Sequence, residues 1–351
     1  MLRMYTGIMP ELVDNLANLT AHKDRDDLEL ALVQTLADLL SPLGVALFRG
    51  VGERHNERWL TCARISPDEP VPQTNSAWVD LESLPKLAEH PLRQQAMASQ
   101  QVIQHAGPSS LTLFPLTRSV DSCGVIEIET TTPLSEESRR LVTGVLRLYL
   151  NFQNLLDYGE RDALTELLNR KTFDGAFLKA TIEQTKTSGT DNDDRRHGTD
   201  MGSYWLAMID IDHFKRVNDS FGHLIGDEVL LLLARLMRRC FRFHDQLYRF
   251  GGEEFVVLMR CASETDATLA LERMRASTEN HLFPQIGHIT ISIGFSAVRA
   301  GDTPSGAFER ADKAVYHAKE HGRNQVCSHA ALIAQGVLVE QVANVGDIEL
   351  F

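Results

Sequence analysis

Between residues 26 and 41, "DDLELALVQTLADLLS" repeats apolar side chains at helical spacing behind a pair of acids, which suit a helix N-terminus, so one helix is predicted there. The rhythm then changes. "GVALFRGVG", "RWLTCARI", "SLTLFPLTR" and "CGVIEIETT" read as short strands, with a polar, helical stretch between about 80 and 105. Helices framing a small antiparallel sheet make this first region α+β. From 135 to 162, "SEESRRLVTGVLRLYLNFQNLLDYGERD" carries Leu141, Val145, Leu148, Phe152, Leu155 and Leu156 along one side, with a capping-box pattern at Ser135, and predicts one long helix. Its stripe has two uses open: packing on its own domain, or a parallel two-helix contact with a second copy.

Beyond the helix, "QTKTSGTDNDDRRHGTDMGS" (184–203) loses periodicity and fills with turn-forming residues, the mark of a mobile surface insertion. Strands are expected near 204–211, 246–250, 253–259 and 288–297, with helices between, and "ALIAQGVLVEQV" turns apolar and helical near the end. The expected division is a regulatory domain at 1–134, a connecting helix at 135–162, a second domain at 163–330 and a C-terminal extension at 331–351.

Composition narrows the function classes. The 351 residues are 43% apolar and 24% charged, enough for two ordinary domains. A net charge of −13 without any Lys/Arg run argues against a nucleic-acid polymer as partner. An anionic ligand would need a metal or a few placed cations. Cys62, Cys123, Cys240, Cys261 and Cys327 are scattered and never in a CxxC pair, which reads as reduced thiols. No apolar run reaches the roughly 18 to 20 residues of a membrane span, no secretory signal is visible, and a cytoplasmic location is expected.

The candidate chemistry lies in the second half. "YWLAMIDID" is a buried-strand pattern ending in acids, and Asp210 and Asp212 would share a face of it. Asp212 could simply cap the helix of "HFKRVND". Asp210, inside an apolar strand, needs a partner. In "RFGGEEFVVL", Gly251 and Gly252 have the spacing of a tight hairpin, after which Glu253 and Glu254 start a strand, and alternation leaves open which of them faces a site. Were this hairpin beside the Asp210 strand, three carboxylates would converge where Mg²⁺ with substrate phosphates is the natural occupant.

These segments resemble the GGDEF domain of diguanylate cyclases. "DALTELLNR", with Glu166 where glycine is usual, "DIDHFKRVNDSFGHLIGDEVL", "RFGGEEF", "TISIGFSA" and "ADKAVYHAKEHGRNQV" follow in family order. The resemblance implies an α+β, ferredoxin-like βαββαβ sheet related to nucleotidyl cyclase palms, and condensation of two GTP to cyclic di-GMP with release of pyrophosphate. It further implies that Asp210 and the Ile211 carbonyl bind two Mg²⁺ ions per site, with Mn²⁺ an alternative, and that Glu253 and Glu254 are catalytic residues completing the metal set. By the same resemblance Asn218 and Asp227 read guanine, and His223 is a further substrate contact. Phe214 and Lys215 offer main-chain donors to phosphate, and Lys319 with Arg323, four apart on one helix face, holds the terminal phosphates.

The same likeness makes "RFHD" (Arg242 and Asp245) an RxxD inhibitory site for cyclic di-GMP, and makes a homodimer the catalytic unit. The first domain has the element order of GAF or PAS sensory modules; His22, His55, His90 and His105 lie in it without ligating spacing. The alternative function is a catalytically silent GGDEF-type receptor for GTP or cyclic di-GMP. Such members usually lose motif carboxylates, and all are present here. A cyclase acting on ATP is opposed by Asp227, which matches the donors of guanine.

Overall fold

The computed structural model describes residues 13–22, 24–52, 56–73, 81–119, 122–188 and 202–339. The chain divides between Gly159 and Glu160 into two compact units.

In the first unit, helix α1 (Arg25–Leu40) starts at Asp24, whose carboxylate accepts the Asp26 amide at 2.8 Å. A six-stranded antiparallel sheet follows: β1 (Gly44–Val51), β2 (Arg58–Ser66), β3 (Glu69–Gln73), β4 (Ile103–Ala106), β5 (Ser110–Ser119) and β6 (Ser122–Thr130), in the order β3-β2-β1-β6-β5-β4. Central β1 is apolar on both faces for a reason. Val45 and Leu47 pack with Leu28, Leu32 and Leu36 of α1 on one side. Ala46 and Phe48 pack with Trp59 and Leu113 on the other, where Ala96 of helix α2 (Pro91–Ser99) closes the layer. The helix expected over 80–105 is thus confined to 91–99, and the two strands absent from the sequence reading, β3 and β4, are the two sheet edges.

Helix α3 (Glu136–Glu160) begins where expected, but its capping box has one half. The Ser135 hydroxyl accepts the Ser138 amide at 3.1 Å; the residue three positions on is itself serine, so no glutamate reaches back. The expected stripe also splits. Val142, Val145, Leu146, Tyr149 and Gln153 are buried, whereas Leu148 and Leu155 are 41% and 66% exposed. An ion pair from Arg25 of α1 to Asp157 ties this helix to its unit, and polar groups are paired in the core beneath it. Glu29 of α1 pairs with Arg49 of β1, the Cys62 thiol hydrogen-bonds Glu29, and Gln153 donates to the Tyr149 hydroxyl at 2.5 Å.

The second unit holds short β7 (Leu168–Asn169), helix α4 (Arg170–Ser188), β8 (Ser203–Ile211), helices α5 (Phe214–Phe221) and α6 (His223–Cys240), the hairpin β9 (Gln246–Gly251) and β10 (Glu254–Cys261), helix α7 (Glu264–Glu279), β11 (Ile291–Ala297), helix α8 (Pro304–Glu320), β12 (Val326–Ser328) and helix α9 (His329–Ala334). Its mixed sheet runs β12-β11-β8-β10-β9-β7, with β8, β9, β10 and β11 antiparallel to their neighbours among themselves. Residues 203 to 211 read as one apolar run because β8 is central and covered on both faces; α6 and α7 pack over one of them through Leu230, Leu233, Leu271 and Met274.

The polar stretch at 184–203 falls largely outside the described residues. The C-terminal helix expected over "ALIAQGVLVEQV" ends at Ala334, where Gly336 takes a left-handed turn (φ 73°). Leu332 and Leu338 pack there with Ala314 and Ala318 of α8. Cys62, Cys240, Cys261 and Cys327 are free thiols. Among the described residues no helix is long and apolar enough to cross a membrane.

Candidate active site

Asp210 occupies the last turn of β8 and is 7% exposed. Its neighbours in register are Glu254 on β10 and Ser292 on β11. One carboxylate oxygen meets the Lys319 ammonium at 2.7 Å; the other, Oδ1, is buried and has no hydrogen-bond partner. Burial pushes this carboxyl up in pKa, and Lys319 opposes the shift. A buried, unpaired carboxylate oxygen is what a cation would satisfy.

A cavity of about 190 Å³ opens at this sheet end. Asp210 and Ile211 line it from β8, Phe214 and Lys215 from the start of α5, Glu253 from the hairpin, and Lys319 and Arg323 from the far side. The N-terminus of α5 carries no side-chain cap, since His213 stands there in a left-handed conformation (φ 59°), so the positive end of the helix dipole faces the cavity.

The hairpin differs by one residue from its expected form. Gly251 pairs with Glu254, with a bulge next to it, so the loop residues are Gly252 and Glu253 rather than the two glycines. Gly251 (φ 143°) and Gly252 (φ 53°) supply the backbone this needs. Glu253 therefore sits in the turn and lines the cavity, while Glu254 begins the strand and is exposed. Burial, then the Asp210 charge, raises the Glu253 carboxyl. Arg249 holds the turn from behind: it donates to the Gly252 carbonyl at 3.0 Å and to Asp162 at 3.0 Å. Burial would raise Asp162, but hydrogen bonds from Thr165 and Arg249 outweigh it and hold that carboxyl low.

Two expectations need correction. Asp212 does not cap α5. It is 5% exposed and also lines the cavity, but its carboxylate accepts the Thr290 hydroxyl at 2.7 Å, the Ser292 hydroxyl at 2.6 Å and the Asn324 amide at 3.0 Å. Arg323 is not on a helix face with Lys319. Helix α8 stops at Glu320, and Gly322, Arg323 and Asn324 follow with φ of 112°, 64° and 45°. Both cations nonetheless line the cavity.

Asn218, His223 and Asp227 lie apart from this cavity on α5 and α6, Asn218 half-buried and the other two exposed. Gly226 lets Asn218 pack against α6, where an added Cβ would come within 2.0 Å of Asn218 Oδ1. Arg242 and Asp245 are not presented together. Arg242 is exposed, whereas the Asp245 side chain is 6% exposed and accepts the Arg242 amide at 2.8 Å, closing the turn after α6. Burial pushes Asp245 up to about 6.

Among the described residues no three His, Cys, Asp or Glu side chains stand together as a ready metal cage. The convergence of three carboxylates is met in part: Asp210 and Glu253 share the cavity, with Glu254 beside Asp210 in the sheet. The donor set fits Mg²⁺ shared with substrate oxygens better than a site closed by protein alone.

A sheet end with paired acids, a helix dipole and two cations defines a phosphate-handling class of site. Residues 160–325 match the family described as "Diguanylate cyclase, GGDEF domain", and the second unit carries that domain. The chain is 43% identical over 168 residues to Diguanylate cyclase DgcP of Pseudomonas aeruginosa, covering 47% of this chain and 23% of that protein. It is 38% identical over 187 residues to Response regulator PleD of Caulobacter vibrioides, covering 52% and 38%. This chain thus spans less than half the length of either relative. Among solved structures, the GGDEF domain of DgcB from Caulobacter crescentus in complex with c-di-GMP is 31% identical, with 49% of this chain and 93% of that one covered, at a TM-score of 0.43.

Proposed function

We propose that the protein is a diguanylate cyclase that condenses two GTP into cyclic di-GMP and pyrophosphate across a homodimer. The observation that carries this reading is Asp210, buried at the cavity with one oxygen unpartnered and Glu253 facing it from the turn. Two Mg²⁺ ions, or Mn²⁺, would polarise the α-phosphate, activate the attacking 3′-hydroxyl and neutralise charge on the leaving pyrophosphate. Asp210, the Ile211 carbonyl, Glu253 and Glu254 would hold them. The raised carboxyl of Glu253 suits it to accept the hydroxyl proton.

Lys319, now on Asp210, and Arg323 would hold the terminal phosphates, with the main chain at Phe214 and Lys215 adding donors. Asn218 and Asp227 would read the guanine edge, with His223 beside them; adenine would leave Asp227 facing an acceptor. Cyclic di-GMP would inhibit at Arg242 and Asp245, which requires Asp245 to turn outward from its present hydrogen bond. Residues 160–325 would take the ferredoxin-like fold, supported by the βαββαβ order of β8 to β11. The first unit would be a GAF-like sensory module acting through α3, a reading supported by its six-stranded antiparallel sheet with helices on both faces. The exposed Leu148 and Leu155, seven residues apart, suit a parallel contact with the same helix of a second copy.

The test is chromatography of products after nucleotide-stripped protein meets Mg²⁺ with GTP or ATP, beside Glu253→Gln. Cyclic di-GMP from GTP alone, reduced about a hundredfold or more in the variant, is expected. Binding of GTP without product, at concentrations where the protein is dimeric, would favour the silent receptor.

A further inference from the structure

We propose that Asp212 is a positioning residue for the phosphate end of the site, setting Arg323 through the main chain of Asn324; this rests on the cyclase reading of the same cavity. Asp212 follows Asp210 and Ile211 directly and lines the same cavity, yet its hydrogen-bond partners are three groups outside the lining. Its three hydrogen bonds go to β11 and its approach, through Ser292 and Thr290, and to the Asn324 amide, through the oxygen it shares with Thr290. The Asp212 amide in turn donates to the Thr290 carbonyl at 2.9 Å. One buried carboxylate therefore fixes the end of β8, the start of β11 and the loop after α8 to each other.

That loop needs fixing. Arg323 and Asn324 are consecutive non-glycine residues in the left-handed region, a backbone that side chains with a Cβ disfavour in an unconstrained chain. They persist because the surroundings hold them from several sides. The Arg323 amide donates to the Ala318 carbonyl at 2.9 Å. The Asn324 side chain accepts from Arg275 at 2.8 Å and donates to Glu279 at 2.8 Å, both on α7. Asp212 supplies the third hold, from the turn that directly follows the strand bearing Asp210. Arg323 reaches the cavity because its backbone takes this turn rather than continuing α8 outward. The distance from the Asp210 carboxylate to the guanidinium is thus set by Asp212.

A positioning role and a general stabilising role predict different losses. Arg323 would meet the terminal phosphates and not the base, so Asp212→Asn should weaken GTP more than GMP. In the variant the charge that strengthens the bond from the Asn324 amide is gone, and the Ser292 hydroxyl must turn from donating to accepting where the new N–H faces it. The experiment is calorimetric binding of GTP and of GMP to the full chain, without divalent metal to prevent turnover, for the parent, Asp212→Asn, Arg323→Ala and the double variant, with thermal melts as a folding check. Asp212→Asn is expected to weaken GTP about tenfold and GMP less than twofold, and to add almost nothing to Arg323→Ala. Equal loss for the two nucleotides, additivity with Arg323→Ala, or unchanged GTP affinity would overturn the proposal. Should Asp212→Asn not fold, Thr290→Val keeps Asp212 and removes the hydroxyl that shares its oxygen with the Asn324 amide, loosening that carboxylate. A smaller loss confined to GTP is expected, and equal loss for GTP and GMP there would also overturn the proposal. A parent that binds neither nucleotide would remove the nucleotide-site reading itself, an outcome distinct from any difference among the variants.

Discussion

Two buried carboxylates sit against the sheets of the two units and are treated in opposite ways. In the first unit Glu29, 3% exposed, has Arg49 beside it and the Cys62 thiol on it. In the second, Asp210, 7% exposed, shares one oxygen with Lys319 and leaves the other with nothing. Removing a carboxylate from water costs several kcal/mol unless its lone pairs are met. A fold that meets them is making structure. A fold that leaves one unmet holds a group ready for something that arrives later, and Asp210 is of that second kind.

The comparison can be broken most forcefully at Asp210. Asp210→Asn should lower cyclic di-GMP formation by about a thousandfold, the scale for removing a metal-holding group, while the melting temperature holds or rises because a buried carboxylate with one oxygen unmet is gone. A clear fall in melting temperature would mean that Asp210 is as structural as Glu29. Glu29→Ala should do the reverse. It leaves Arg49 beside a cavity without its counter-ion, and with that guanidinium about a quarter exposed the loss falls near the low end for a broken buried pair, about 3 kcal/mol. Urea denaturation of the full chain reads it, and an unchanged midpoint for the first transition would contradict it.

A third buried acid sharpens the contrast by a smaller amount. Asp245 is held by the main chain of Arg242 and Arg260, yet burial outweighs them and raises it to about 6. Its folded value lies above the unfolded one, so the folded state binds the proton more readily. Stability from this group is full in acid and is lost as pH rises through about 6. Asp245→Asn should accordingly stabilise the protein by about 1 kcal/mol at pH 7.5 and by little near pH 4.5. Melts at the two pH values decide it: an equal effect at both would mean the shift is absent.

Much of the architecture is legible in the chain, and the gaps have physical causes. Helix α1 and strands β1, β2, β5, β6 and β8 to β11 carry periodicity because each packs at least one face on a core. Strands β3 ("EPVPQ") and β4 ("IQHA") do not, being short, exposed edges, the first with two prolines. The long helix is visible, but the inward turn of Gln153 and the outward turn of Leu155 depend on which neighbours each meets. At the site, the local motifs that carry Asp210, Glu253 and Lys319 line one cavity. The role of Asp212 is invisible because Thr290, Ser292 and Asn324 lie 78, 80 and 112 residues away. The inward set of Asp245 depends likewise on burial rather than spacing, and the one-residue shift of the hairpin follows from a bulge that two glycines permit but do not announce.

Arg249 makes the turn beside Glu253 part of a short lever. One guanidinium grips Asp162, two residues into the second unit, and the carbonyl of Gly252, one residue before Glu253. A displacement of the chain where α3 ends therefore has only a carboxylate, a guanidinium and a peptide bond to cross before it moves Glu253. Of the groups lining the cavity, Glu253 is thus held, through the residue before it, to the first residues of the second unit.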